Sequence, residues 1–532
     1  MRVAIILIVL ILCAGCEATF SNNSTQREEA GTIQFDKEQG KYVTPVTLET
    51  VGAVNPDVVF INGETLENNV HTRWAEERLG IRIKYLWTIT DINNSYSNKL
   101  RLELAKGTLP DIVTTRDFDL INELIDSGQF MEVGQLFDQH ASDVWKDAMM
   151  EEPSVWDAFS RDGLKYAIPI LDFEYTSDPV LWIREDWLEN LGLAEPKTFT
   201  ELEAVMEAFT NQDPDGNGED DTYGLTISLI HGVNTWMADS SWVFGAYEAI
   251  PQQWNLQADN SLVYGSVLPG TKEALHLLKQ WIEKGYISGD SQWYDETKAA
   301  QLFTSGKAGI IAGPYWMAGW PLSDLNLIDA HARYKAIPLP IGPEGTVLRR
   351  GKLPVNGAIL INKKMEHPEI FFTYQNYLFD YYAVSEGEFT YGLAKGYDWN
   401  TINETDDKDI SEISPEEVIF ENLRVAAYTL TFDGARIPSY IVNETPEDSI
   451  EVLLSQQEAS RKDMYTGPPT TTMKEKWELL GKLEQNTFNS ILFGDATIEA
   501  FDDFVVKWGA YGGSKITEEV NDWYDRKQNN LE

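Results

Sequence analysis

Between Asp213 and Gly224 the chain reads DPDGNGEDDTYG, and oxygen-bearing side chains fall at every second position: Asp213, Asp215, Asn217, Glu219 and Asp221. Carboxylates crowded in this way repel unless water separates them in an open turn or a hard cation gathers them. In an EF-hand loop the ligands come from positions 1, 3, 5, 7 and 9, with Gly at 6 for the sharp turn and Glu at 12. Here Gly218 stands at position 6 and Glu219 at position 7, where the backbone carbonyl is the ligand. Gly224 stands at position 12, so the bidentate Glu is missing. Asp221 in a bidentate role, with Thr222 beside it, is the expected substitute. Oxygen-only ligands favour Ca2+ over zinc or copper. The ion is expected to be structural, because nothing beside the loop looks reactive. A solvated acidic turn is the plain alternative.

A second set of residues suits a sugar. A sugar ring has an apolar face of C–H groups, on which an aromatic side chain stacks, and a rim of hydroxyls, which Asp, Asn, Gln and Arg can hydrogen-bond. The chain carries 17 Trp, 23 Tyr and 22 Phe, and several cluster with polar residues after expected strands. HGVNTWMADSSW supplies Trp236, Asp239 and Trp242, and SQWYDETK supplies Trp293 and Tyr294. AGPYWMAGW supplies Tyr315, Trp316 and Trp320, and YGLAKGYDW supplies Trp399. Arg116 and Asp117 join them, because they follow the short strand DIVTT and ligands bind beyond the carboxyl ends of strands in α/β sheets. For any single member of the set, core packing is the competing role; taken together they are expected to line part of a cleft.

Enzyme signatures are scarce. No GxSxG elbow, HExxH pair or Walker loop occurs, and the chain holds six His. Paired carboxylates of a glycoside hydrolase remain the alternative from another class, because acidic residues are abundant. A surface adhesin for peptide or peptidoglycan is a third. The formal net charge of −43 argues against nucleic acid, which requires a basic face.

The chain begins MRVAIILIVLILCAGCEATF. Arg2 precedes an apolar run, Val3 to Leu12, too short to span a membrane comfortably, and small residues then lead to Cys16. This resembles the bacterial lipoprotein signal, with one departure: Cys13 stands where Leu is usual. An ordinary secretory signal cut nearby is the alternative. Apart from Cys13 and Cys16 there is no cysteine, so no disulfide framework is expected in the body.

The body alternates strands with helices, which suggests a parallel sheet covered on both faces. Strands are expected at Val46–Val54, Ile81–Trp87, Asp111–Thr115 and Val180–Ile183, and helices at Glu67–Leu79, Ser97–Ala105 and Glu185–Leu191. Gly80, Gly107 and Gly192 are placed to end those helices, and Thr198 or Thr200 to cap the next.

GTLPDIV, GLKYAIP, LWIREDWLENLGL, PKTFTELEAV, the acidic loop, LFTSGKAGIIAGPYW and YGGSKITEEVNDWYDR follow one another in an order that resembles the extracellular solute-binding proteins of bacterial ABC importers. The sequence resembles the large carbohydrate-binding type found as lipoproteins in Gram-positive bacteria, and its acidic loop is similar to the shortened calcium loop of related alginate-binding proteins. The resemblance implies an α/β, periplasmic-binding-protein-like fold of two lobes with a hinge, holding an oligosaccharide between them. It implies a signal peptide over 1–15, a lipidated Cys16 (palmitate among its acyl chains) and a tether to residue 41. Lobe one is expected over 42–170 and 353–385, and lobe two over 171–352 and 386–532. AIPILDF and GKLPVNG are the expected hinge crossings. A monomer is expected, anchored on the outer side of the cell membrane and delivering its ligand to ABC permease subunits, with no catalysis.

Overall fold

The computed structural model describes residues 33–530 apart from 57, 59, 403–409, 421–430, 433, 441–446 and 495. The expected signal peptide and Cys16 lie outside the described residues. The expected tether ends earlier than residue 41. Phe35–Asp36 pairs antiparallel with Lys41–Tyr42, and the ring of Tyr42 is buried against Phe35 at 5.0 Å between centroids. That aromatic edge contact and the bond from Lys41 Nζ to the Glu77 carbonyl (2.7 Å) tie the segment to the body.

In the first lobe Val46–Val54 runs parallel to Ile81–Thr90. The connecting helix starts at Val70 rather than near Glu67, because the Asn69 side chain accepts the amides of His71 and Thr72 as an N-cap. It widens into a turn over Ala75–Leu79, and Gly80, at φ 68°, ends it. Helix Ser95–Lys106 closes on Gly107 in the same way. Ile112–Thr115 and Ile168–Leu171 both pair with Val355–Ile361, and both pairings are antiparallel.

The second lobe has a four-stranded sheet in the order Tyr223–Thr226, Ala308–Gly313, Val180–Arg184, Tyr334–Ile337. The first two are parallel, and the other neighbours antiparallel. Thr198 caps Phe199–Asn211 in a reciprocal capping box with Glu201.

The second-lobe sheet is therefore mixed, and the first lobe sets a parallel pair beside an all-antiparallel three-stranded sheet, so neither is the parallel sheet that the alternation suggested. The reason is the hinge. Val180–Arg184 and Val355–Ile361 each enter a lobe from a crossing and run away from it. Their neighbours run back toward it, and so are antiparallel to them. In each lobe the strands running toward the crossings finish there, and the loops after them are free to carry ligand-binding side chains.

Each lobe has its own core. Ile112, Trp145 and Phe371 belong to the first, Leu181, Trp187 and Trp281 to the second. Three segments join the lobes. The Asp172 amide donates to the Pro354 carbonyl (2.9 Å), and the Glu174 amide to the Pro438 carbonyl (2.8 Å). The crossing at Pro438 was not expected, and it moves a boundary. Phe389, Phe432 and Ala435 lie in the first-lobe core, and Tyr397 packs on Phe60, Ile61 and Val70. The chain thus stays with lobe one well past residue 385, held by contacts such as Trp74 on Phe389 and Tyr397 Oη on Glu64.

Candidate functional site

One wall stands in the second lobe, at the ends of two parallel strands. After Tyr223–Thr226 the chain turns to present Trp236, and after Ala308–Gly313 it presents Trp316 and Trp320. The three indoles stack. Trp236 lies 6.0 Å from each of the other two, at 23° and 16° between planes, and Trp316 lies 6.4 Å from Trp320 at 9°. Trp316 is anchored by its N–H, which donates to the Thr176 carbonyl at 2.8 Å. Trp236 remains 37% exposed, a flat apolar surface available for stacking.

The other wall is in the first lobe. A cavity of about 770 Å³ opens where Val46–Val54 and Ile112–Thr115 end, lined in part by Tyr85, Asp91, Arg101, Thr114, Arg116 and Asp117. Asp117 caps helix Phe118–Asp126 through the Leu120 amide and lies 3.4 Å from Arg101, which also holds Glu123 at 3.0 Å. Burial pushes Tyr85 up to about 12. The Thr114 hydroxyl is buried and has no hydrogen-bond partner among the described residues. Gly357 ties this wall to the hinge. It sits at φ +122°, and a Cβ there would meet the Thr115 carbonyl at 2.5 Å.

Between the walls, the crossings make a floor. Arg350 donates to the Thr235 carbonyl and lies 3.5 Å from Asp239. Two residues on is Lys352, whose charged neighbours are Arg350, Asp239 and Asp172. Its side chain is exposed to water, while the protein packed nearby desolvates it in part. Desolvation first, and the Arg350 charge second, push its ammonium down to about 8. Arg436 faces Asp172 at 4.0 Å. Tyr315 is pushed up to about 12, by burial and then by the Asp172 carboxylate.

The expected ligand-binding residues divide accordingly. Trp236, Trp316 and Trp320 come together, and Arg116 and Asp117 line the facing cavity. Others do not qualify. Trp242 is 2% exposed, and its ring packs on Phe199 and Trp281 in the core. Trp399 is 4% exposed against Tyr391. Asp239 is buried and engaged by the Thr235 amide, the Ser241 hydroxyl and Arg350, so it shapes the Trp236 turn. Tyr294 is largely covered, with its hydroxyl 3.2 Å from Ser288. Trp293 is exposed but makes no ring contact with the trio among the described residues. Lys352, Asp172 and Arg436 were missed, although Lys352 and Asp172 lie inside the two hinge segments noted for their backbones.

In the acidic loop, both Asp213 oxygens, Asp215 and Asn217 fold inward. Asp213 accepts the amides of Asn217 (3.0 Å) and Gly218 (3.1 Å), and Asn217 Oδ1 accepts that of Glu219 (2.7 Å). The Asp215 carboxyl is pushed up, by burial first and then by Asp213 and Asp221. These groups fit a hard cation in part. Asp221 instead pairs with Lys307. Thr222 does not fit, because its buried hydroxyl donates to the Phe209 carbonyl at 2.7 Å. Among the described residues no three His, Cys, Asp or Glu side chains already form a metal-binding group.

The profile of the bacterial extracellular solute-binding protein family matches residues 59–379. The chain is 26% identical over 450 residues to the polygalacturonan/rhamnogalacturonan-binding protein YtcQ of Bacillus subtilis, covering 80% of this chain and 82% of that one. It is 28% identical over 243 residues to lipoprotein LipO of the same organism, covering 44% and 45%. In structure it is similar to the ABC-transporter substrate-binding protein FusA of S. pneumoniae. FusA in complex with kestose superposes with a TM-score of 0.64 at 19% identity, and its EF-hand mutant with fructo-nystose gives 0.63 at 18%; both cover 91% of this chain and 100% of that one. The two-lobed α/β architecture of these proteins is the fold of this chain.

Proposed function

The chain belongs to the bacterial extracellular solute-binding protein family, and from that premise we propose that it captures an oligosaccharide between its lobes and delivers it to an ABC importer. The observation that carries this reading is the stacked trio of Trp236, Trp316 and Trp320 at the strand ends of one lobe, with a polar cavity at the strand ends of the other. The names of YtcQ, a polygalacturonan/rhamnogalacturonan-binding protein, and of FusA, solved with kestose and with fructo-nystose, support it. The open form admits the glycan, its rings settle on the indoles, and contacts from the first lobe favour closure. Binding shifts the population only by its differential affinity for the two forms. The closed form then docks on permease subunits.

Catalysis is not part of the reading. A glycoside hydrolase needs two carboxyl groups free to flank the scissile bond; on the floor Asp172 and Asp239 each face a guanidinium, and reducing-sugar release tests the carboxylates of the first-lobe cavity. Attachment through a lipid on Cys16 would hold the receptor at the outer membrane surface, as the name of LipO suggests for that relative. Among the described residues no helix is long and apolar enough to cross a membrane. Asp213, Asp215, Asn217, Asp221 and the Glu219 carbonyl would hold one structural Ca2+, and Lys307 would have to release Asp221 for it. The EF-hand named for FusA supports that proposal.

Calorimetry against a panel of plant and bacterial oligosaccharides, with reducing-sugar release followed in parallel, tests the function. Binding with a change in Trp fluorescence and no release is expected. Release of reducing sugar, or silence across the panel, would overturn it. Chelation of purified protein should lower its melting temperature and added Ca2+ restore it; a melting curve indifferent to both would remove the ion.

A further inference from the structure

Resting on the oligosaccharide reading, we propose that Lys352 is the seat for a sugar carboxylate, so that the cleft prefers a uronate-containing oligosaccharide to its neutral counterpart. Three observations carry this inference. First, the charges on the floor do not cancel. Asp239 is matched by Arg350 at 3.5 Å and Asp172 by Arg436 at 4.0 Å, which leaves the Lys352 ammonium uncompensated. Second, that ammonium makes no hydrogen bond or ion pair with any described residue, although Asp239 and Asp172 are among its charged neighbours. Surface lysines elsewhere in the chain, such as Lys335 between Glu185 and Glu195, find carboxylates at 3.2 and 2.5 Å. Third, the chain as a whole carries −43. A field of that sign repels an anionic glycan, so an acidic ligand requires a local positive seat.

The location suits the task. Lys352 lies two residues from Arg350, whose guanidinium holds the turn that presents Trp236. Two residues beyond, Pro354 accepts the Asp172 amide at the crossing. A sugar ring on the indoles would therefore have its substituents over the floor, where a charge-assisted hydrogen bond to a carboxylate is stronger than one to a hydroxyl. A neutral sugar would leave the ammonium with water alone. The lowered proton affinity of Lys352 follows from the same surroundings. Arg350, two residues back, opposes the charge, and Asp239 beside the Trp236 turn and Asp172 from the crossing favour it.

The test uses the full soluble body with short oligomers of galacturonate, glucuronate and mannuronate and their carboxyl-reduced neutral partners. Calorimetry should find at least one acidic oligomer bound about tenfold or more tighter than its reduced partner. Lys352→Met should abolish that preference while leaving the neutral affinity within about twofold, and Lys352→Arg should retain most of it. Between pH 7 and pH 9 at constant ionic strength the acidic affinity should fall and the neutral one hold, because the ammonium is charged below about 8 and lost above it. If neutral partners bind as tightly as acidic ones, or Lys352→Met weakens both equally, the inference falls and the oligosaccharide reading stands. If no member of either series binds, the inference falls, and the oligosaccharide reading is decided by the wider panel of plant and bacterial glycans.

Discussion

In the second lobe the wall of the cleft is three indoles stacked within 6.0 to 6.4 Å of one another. In the first lobe it is a cavity of about 770 Å³ lined by Arg101, Arg116, Asp117 and the partnerless Thr114 hydroxyl. The aromatic wall is finished before a ligand arrives. Its rings hold one another, Trp316 is pinned through its N–H, and stacking asks for little further ordering. The polar wall is unfinished. Arg101 and Asp117 satisfy each other, and a buried hydroxyl awaits a partner. On the proposed function, affinity for sugar rings in general would belong to the second lobe. Discrimination among hydroxyl patterns would belong to the first, where an analogue that leaves a buried polar group unpaired pays its desolvation cost.

The aromatic wall has a support whose removal should show the largest effect. Behind the Trp236 turn, helix Thr471–Phe493 places Glu484 at 3% exposure. The Glu484 carboxyl bonds Gln252, Ser266 and Tyr264, and Gln252 accepts the Asn234 amide at 3.2 Å. Burial pushes this carboxyl from 4.5 up to about 7. A raised acid is protonated in the folded chain while the unfolded chain has already ionised, so its contribution to stability is lost as pH climbs from about 4.5 to about 7 and is constant above. Glu484→Gln removes that slope. Relative to the parent, the variant should gain on the order of 3 kcal/mol between pH 4.5 and pH 8, read by denaturant unfolding at the two values. Parallel curves for the two proteins would mean that the support carries no buried acid.

Trp236→Ala comes next. The ring is 37% exposed, so stability should fall less than the loss of a fully buried indole implies. Glycan affinity should drop by about 1–3 kcal/mol if the ring stacks on the ligand. Trp242→Ala, six residues on, is the control. Its ring is in the core, so it should cost melting temperature and leave the affinity of the protein that remains folded unchanged. The opposite pattern would exchange the roles of the two.

That pair shows what was legible in the sequence. HGVNTWMADSSW announced aromatic and polar chemistry after a strand, and strand ends were readable from composition. Which of two nearby tryptophans faces the cleft was not readable, because it depends on how Asp239 and Arg350 fold the turn, and those residues are 111 positions apart. The glycine stops at Gly80, Gly107 and Gly192 were legible because each needs a left-handed backbone that short-range pattern announces. Strand direction was not, because it follows from where the chain crosses between lobes. The floor was the hardest part. Asp172, Lys352 and Arg436 come from three crossings, and no spacing along the chain brings them together. The third crossing itself, near Pro438, carried no signal beyond a lone proline.

Thr114→Val probes the polar wall with almost no change of shape. Removing a hydroxyl that is buried without a partner should leave stability unchanged or raise it by up to about 1 kcal/mol. If the hydroxyl meets the ligand, affinity should fall by a similar amount. A stabilised variant with unaltered affinity would mean that this part of the cavity stays empty of glycan, and the contrast between the walls would narrow to Arg116 and Asp117.

The smallest expected effect concerns how the walls are held relative to each other. Cations of the second lobe reach anions across the boundary: Lys474 to Asp126 at 2.6 Å, Lys462 to Glu152 at 3.0 Å, and Lys527 to Asp157. All are partly exposed; Lys474 and Asp126 are 48% and 38% so, and a pair of that kind contributes about 0–1 kcal/mol. That is too little to decide folding, but it is the right size to bias an equilibrium between two lobe arrangements that lie close in energy. Lys474→Met should therefore leave the melting temperature nearly unchanged and shift the population of the paired arrangement by a few tenths of a kcal/mol, measured as the distance between fluorophores placed on the two lobes. Raising the salt from about 0.05 to 0.5 M should shift the parent in the same direction, because screening shortens the reach of these charges, and should shift the variant less. A distance that responds to salt equally in both proteins would show that Lys474 takes no part in setting the angle between the walls.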